Sequence, residues 1–154
     1  MSMDQPTSPD PAAVAAHMWA ADRASRGLGM RLVEVGEGRA TMTMAVRDDM
    51  LNGHDICHGG FITTLADSAF AFACNSRNVV TVASGLAVDF LAPARGGDVL
   101  TAVALETSRA GRTGVYDMVV TNQHGARLAL VRGRSHSLAG RTVLPTNPPT
   151  QGAS

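Results

Sequence analysis

The spacing of hydrophobic positions changes twice along this chain. Between Pro11 and about Arg26, apolar residues recur at helical intervals, with Val14, Met18 and Trp19 in one stripe. Asp10 suits the N-cap, Pro11 the first helical position and Gly27 the stop. Residues 30–35 and 39–46 read as a hairpin turning at Gly36-Glu37-Gly38. In its second arm Ala40, Met42, Met44 and Val46 alternate with Arg39, Thr41 and Thr43, the pattern of a half-buried antiparallel strand. An irregular loop over 47–58 follows. From Gly59 to Asn75 nearly every side of a helical projection is apolar: Phe61, Ile62, Leu65, Ala66, Phe70 and Phe72 among others. A helix apolar all round is buried in a protein or a membrane. This one falls short of the roughly 20 apolar residues a bilayer requires and contains Asp67, so a soluble core is expected. After it the period becomes two, predicting strands at 79–91, 98–109, 112–122 and 126–138. In the first of these Val80, Val82, Leu86, Val88 and Phe90 share one face. Ala83, Gly85 and Ala87 make a small-residue face that something can approach closely.

The predicted order is helix, two strands, one long buried helix, four strands. Such a sheet must wrap around the helix to cover it. The expectation is an α+β hotdog fold: five to six antiparallel strands around one long buried helix, with an extra N-terminal helix. Residues 10–138 form this domain; 1–9 and the Pro-containing stretch 139–154 read as disordered. The sheet's outer face is only partly covered, so oligomerisation is expected. A formal net charge of zero argues against nucleic acid and anionic membrane surfaces. All 13 basic residues are Arg. Cys57 and Cys74 make no disulfide framework and read as reduced thiols. No basic segment followed by an apolar run opens the chain, so a cytoplasmic location is expected.

Candidate chemistry lies in the apolar helix. A carboxylate is almost never buried without a partner, which makes Asp67 the leading catalytic candidate. His58-Gly59-Gly60 opens the helix, where free backbone N–H groups and the helix dipole can polarise a carbonyl. The glycines serve equally well simply to permit the loop-to-helix turn. Asp67 lies about 12 Å along the helix from Gly59, too far to act on a carbonyl held there, since reacting atoms must come within about 3 Å. Either the two features are unrelated, or one site is built from two chains whose central helices run antiparallel. His54, Asp55, Cys57 and His58 are too close in sequence to converge on one tetrahedral ion, and no metal is expected. Ser68 lacks a GxSxG elbow and reads as packing or a local hydrogen bond. His17 and His136 read as structural or surface, and Asn75 as a cap for the helix end. Phe70, Phe72 and Met50 read as core or as lining for an acyl pocket.

Several motifs together resemble the PaaI-type thioesterases of bacterial phenylacetate degradation, a hotdog family of acyl-CoA hydrolases. These are LNGH (Leu51–His54), CHGG (Cys57–Gly60), LAD (Leu65–Asp67), VAS with DFL-x-P between Val82 and Pro93, TGVYD (Thr113–Asp117), Asn122-Gln123 and RGRSH (Arg132–His136). The likeness spans about residues 16–138. It implies hydrolysis of phenylacetyl-CoA or hydroxyphenylacetyl-CoA type thioesters, with Asp67 as general base or nucleophile and the Gly59 N–H holding the carbonyl oxygen. Asn52 and His58 would position water and thioester. Gly60, Ser84, Gly85 and Thr113 would contact substrate, with Arg109 and Arg112, and Arg134 as a further candidate, for the coenzyme phosphates. The resemblance implies no cofactor beyond the coenzyme A of the substrate, a homodimer with shared active sites and a homotetramer of dimers. Ala92 stands where relatives often carry a basic residue, and Asp55 where a neutral polar one is common. Two other functions fit the same residues. A hotdog 3-hydroxyacyl-thioester dehydratase would use His58 and Asp67 as its pair, and a non-catalytic acyl-CoA-binding module would use Asp67 only to satisfy buried polar groups.

Overall fold

The computed structural model describes residues 8–146. Residues 1–7 and 147–154, parts of the expected disordered ends, lie outside the described residues. The N-terminal helix is two helices, α1 (Pro11–Ala21) and α2 (Arg23–Gly27), not the single one predicted. Asp22 divides them. Its backbone leaves the helical region (φ −81°, ψ 88°), and its carboxylate accepts bonds from the Ser25 N–H at 2.9 Å and Ser25 Oγ at 2.6 Å. An Asp offered as a second N-cap competes with continuing the first helix.

The strands are β1 (Arg31–Gly36), β2 (Arg39–Ala45), β3 (Val79–Phe90), β4 (Val99–Ala110), β5 (Thr113–Thr121) and β6 (Arg127–Thr142), and the central helix is α3 (Gly59–Asn75). They form one antiparallel sheet in the order β1-β2-β4-β5-β6-β3. Every strand touches α3, which is the hotdog arrangement. The strand β6 runs past the predicted end at 138, because the start of β3 pairs with it as far as Val79–Thr142. Its inner face lets α3 come close: a Cβ on Gly133 would lie 2.9–3.1 Å from the Phe70 ring. Phe70, Phe72 and Met50 are all buried in the core, and Phe70 also packs on Tyr116 with ring centroids 5.2 Å apart.

The expected apolar face of β3 is interrupted. A bulge between Ala83 and Gly85 shifts the register against β6. Leu86 and Val88 pack on the core, while Val82 and Phe90 are 47% and 54% exposed. The strand β3 pairs only with β6 and ends the sheet.

Polar clamps fix the C-terminal end of α3. Asn75 Nδ2 donates to the carbonyls of Ala71 and Thr81, each at 2.9 Å, and its Oδ1 accepts from the Thr81 N–H at 2.9 Å. The C-cap is Ser76, whose N–H and Oγ both donate to the Ala73 carbonyl, and not Asn75 as expected; Asn75 is the last helical residue, bonding back along the helix and holding the start of β3. Arg77 bonds Glu106 on β4 at 2.6 and 3.2 Å and Glu37 at 2.7 Å, and Glu106 also accepts from the Tyr116 hydroxyl at 2.7 Å. Glu106's pKa is lowered: its bonds to Arg77 and Tyr116 outweigh the opposing burial.

Replacing Asn75 with Ala removes three bonds and leaves buried partners unsatisfied, an effect of about 2 kcal/mol. The exposed Arg39–Glu34 pair, 2.9 Å apart, is a control: its removal should change stability by less than about 0.5 kcal/mol. Urea unfolding of Asn75→Ala and Arg39→Ala should show this separation.

Candidate active site at the start of the central helix

The loop before α3 is more ordered than its sequence suggests. Asn52 Oδ1 accepts from the His54 N–H at 2.9 Å and more weakly from the Ile56 N–H at 3.4 Å, an Asx-type turn. Asp55 occupies the left-handed region (φ 57°), which Asp and Asn tolerate better than other side chains. The Cys57 N–H bonds the Ala94 carbonyl and the His58 N–H bonds the Met50 carbonyl, both at 2.8 Å. His58 therefore arrives at the helix with its backbone fixed.

His58 is the N-cap of α3, and its Nδ1 accepts the Gly60 N–H at 3.1 Å. With Nδ1 accepting, Nε2 carries the proton of the neutral ring. The Phe61 N–H bonds back to the His58 carbonyl at 3.0 Å. The Gly59 N–H has no acceptor among the described residues. The helix thus presents one free, dipole-aligned donor, with the next two N–H groups engaged.

Gly59 itself lines a cavity of about 890 Å³, together with Asn52, Ile56, Cys57, His58, Gly60, Ile62, Thr63, Val88 and the segment from Phe90 to Pro93. The lining is mainly apolar. Asn52's Oδ1 is committed to its own loop, so its Nδ2 is the group available to a ligand. Among the described residues no three His, Cys, Asp or Glu side chains gather as a metal site. His54 is exposed, Cys57 is buried and the His58 ring is a cap.

Asp67 is not part of this cavity. It sits more than two helical turns further along α3, half-buried, and burial raises its pKa above the ordinary carboxylate value of 3.8. Burial is the sole cause; no ion pair or hydrogen bond within the described chain offsets it. The neighbouring Ser68 serves packing between helices instead. Its Oγ lies 2.8 Å from Ser25 Oγ, tying α3 to the Asp22 cap.

The remaining predicted residues lie elsewhere in this chain. Ser84 Oγ donates to the Arg134 carbonyl at 3.1 Å, and Gly85 is covered by the Arg134 guanidinium. Thr113 Oγ1 donates to the Ala110 carbonyl at 3.0 Å, and the Arg112 carbonyl accepts from the Ser137 N–H at 2.7 Å. Arg109, Arg112 and Arg134 are exposed. One chain therefore brings together Asn52, His58, Gly59 and Gly60, and leaves Asp67, Ser84, Gly85, Arg109, Arg112 and Thr113 outside. Sequence reasoning missed Phe90 as a cavity residue. The available signal was its place at the end of β3, which runs back beside α3 and so ends near the helix start.

Comparison with known proteins places this arrangement among thioesterases. The Thioesterase superfamily model matches residues 54–129. The acyl-coenzyme A thioesterase PaaI of Escherichia coli K12 is 46% identical over 123 residues, covering 80% of this chain and 88% of that protein. The solved structure of the E. coli PaaI protein from the phenylacetic acid degradation operon superposes with a TM-score of 0.83 at 44% identity, covering 85% of this chain and 95% of that one. The Streptococcus mutans UA159 protein smu.793, solved with acetyl-CoA bound, gives a TM-score of 0.70 at 26% identity, covering 73% and 91%.

The raised pKa of Asp67 has a consequence for stability. The folded state binds this proton more tightly than the unfolded chain does. The ionised carboxylate therefore costs stability as pH rises from the unfolded value through the folded one, and this cost persists at neutral pH. Asp67→Asn should unfold at higher urea than the parent at pH 7, with the difference shrinking toward pH 4. An equal difference at both pH values would contradict the assignment of a desolvated carboxylate.

Proposed function

The chain belongs to the PaaI-type acyl-CoA thioesterases of the thioesterase superfamily, and from that premise we propose that it hydrolyses phenylacetyl-CoA or hydroxyphenylacetyl-CoA type thioesters to the free acid and coenzyme A. The observation that carries the reading is the free Gly59 N–H, at the capped start of α3 and beside a mainly apolar cavity. A thioester carbonyl placed there gains a fixed donor and the positive end of the helix dipole as its oxygen becomes anionic. His58 keeps the donor in place by engaging the neighbouring N–H. The Asn52 Nδ2 supplies a second donor for water or thioester.

The carboxylate comes from the partner subunit. Two β3 edges paired across a two-fold axis set the two α3 helices antiparallel. That brings Asp67 of the partner subunit toward the Gly59 donor. The apolar residues Val79 and Val82 exposed along β3 support such pairing. On the sheet's outer face Val103, Val119 and Leu130 lie side by side across three strands, and Val103 and Leu130 are exposed, suiting a further dimer-to-dimer contact.

As general base, Asp67 takes a proton from water, whose oxygen bonds the carbonyl carbon. The tetrahedral oxyanion at the Gly59 N–H then collapses, breaking the C–S bond and releasing the coenzyme thiolate, which is protonated. As nucleophile, the same carboxylate bonds the carbonyl carbon directly, the C–S bond breaks to release the coenzyme thiolate, which takes a proton, and water then hydrolyses the resulting anhydride to the free acid and restores the carboxylate. A carboxylate of raised pKa suits either role, being more basic than a free one. The dehydratase reading is served less well, since with Nδ1 of His58 engaged as a cap and Nε2 carrying the proton, the neutral ring offers no free base nitrogen.

Asp67→Asn should lower kcat for phenylacetyl-CoA by about 10²–10⁴-fold with a much smaller change in KM. Thiol release followed with a chromogenic disulfide measures this directly, and near-parental kcat would refute the role of Asp67.

A further inference from the structure

The glycine at the head of α3 is in contact with an aromatic ring. A Cβ on Gly59 would lie 2.7 Å from Phe90 Cζ and 3.1 and 3.2 Å from its two Cε atoms. The outer edge of the ring thus rests end-on against the Gly59 Cα. Space for a ligand is not what keeps this position small in the free chain; the ring already fills it.

Core packing does not account for Phe90. It is 54% exposed and stands outside the buried cluster, unlike Phe70 and Phe72. The outer edge of the ring meets the helix start, and Phe90 is one of the residues lining the cavity. The atom it touches, the Gly59 Cα, is one bond from the nitrogen carrying the free N–H. Any carbonyl that accepts this N–H has the Phe90 ring as an immediate neighbour of its substituents.

We propose that Phe90 is a specificity-determining residue of the thioesterase: its ring is a wall beside the carbonyl-binding donor that accepts an unbranched CH₂ next to the thioester carbonyl and rejects a branched one. This rests on the reading of the Gly59 N–H as the carbonyl donor. An arylacetyl group passes the ring through its methylene and places its own aromatic ring beside Phe90, in the offset or edge-to-face arrangements aromatic pairs favour. A methyl on the same carbon competes with the ring edge for space. One methylene in a fitted apolar pocket discriminates about tenfold or more.

The test compares kcat/KM for phenylacetyl-CoA and 2-phenylpropanoyl-CoA, which differ by that one methyl. The parent protein should prefer phenylacetyl-CoA, and Phe90→Ala should shift the ratio by about tenfold or more toward the branched ester. Phe90→Leu, which fills less of the wall, should shift it in the same direction by less. The ratio is independent of how much of each preparation is folded. A second arm uses Gly59→Ala, whose methyl must displace the ring. It should impair the parent more than it impairs the Phe90→Ala background. An unchanged ratio in both Phe90 variants, with the parent hydrolysing phenylacetyl-CoA normally, would overturn the role of Phe90 alone. So would an equal effect of Gly59→Ala in the two backgrounds. A parent releasing thiol from neither ester would overturn the proposed function and this inference with it.

Discussion

Every strand of the sheet packs on α3, and the position of that one helix determines where the chemistry can lie. Its buried residues, from Ile62 to Cys74, form the centre around which the strands' buried residues pack. Small residues on the sheet, Ala102, Ala104 and Gly133 among them, let the helix lie close to the strands. Close packing also makes it stiff. The helix cannot bend to bring its start and Asp67 together, so the separation of about 12 Å implied by helical rise is a fixed property of the chain.

Both ends of α3 are pinned by polar contacts of different kinds. At the C-terminal end, Asn75 holds the first part of β3, and Arg77 joins the helix to Glu106 and Glu37. At the start, the loop bonds of Asn52 and the cap from His58 hold the Gly59 N–H free and oriented. Between them, Asp67 is desolvated without any compensating partner in its own chain. A fold that stabilises everything around one carboxylate except the carboxylate itself carries a local cost. The proposed catalysis across a subunit boundary would account for both that cost and the separation.

Period-two strands and the all-apolar helix were readable directly, because each follows from burial on one face or on all. The capped helix start was also readable in outline from His58-Gly59-Gly60. What the sequence could not reveal depends on local competition or on tertiary pairing. Asp22 reads as an ordinary helical residue until its carboxylate captures Ser25. The last residues of β6 look like a polar tail until β3 supplies a ladder for them. Val82 looks inward by alternation with Leu86 and Val88, but the bulge near Ser84 resets the strand and leaves it exposed, while Phe90, in step with Leu86 and Val88, meets the helix start. His58 was expected to position water and thioester, and the sequence did not reveal that its Nδ1 also serves as the cap. Arg109, Arg112 and Arg134 are exposed and lie outside the cavity of their own chain, and under the proposed two-chain site their relation to it would depend on the partner.

Mixed dimers test the shared site most directly. Gly59→Pro removes the free N–H at the first helical position, where the extended His58 backbone (φ −61°, ψ 131°) suits a following proline, and its Cβ displaces the Phe90 ring as in Gly59→Ala, so both changes disable the same half of the site. Asp67→Asn removes the carboxylate. Each variant alone should be nearly inactive. Unfolded together and refolded at equal amounts, they should recover about a quarter of parental activity, because half the two-fold dimers are mixed and each mixed dimer holds one intact site. No recovery, with mixed dimers demonstrably formed, would contradict a site built from two chains.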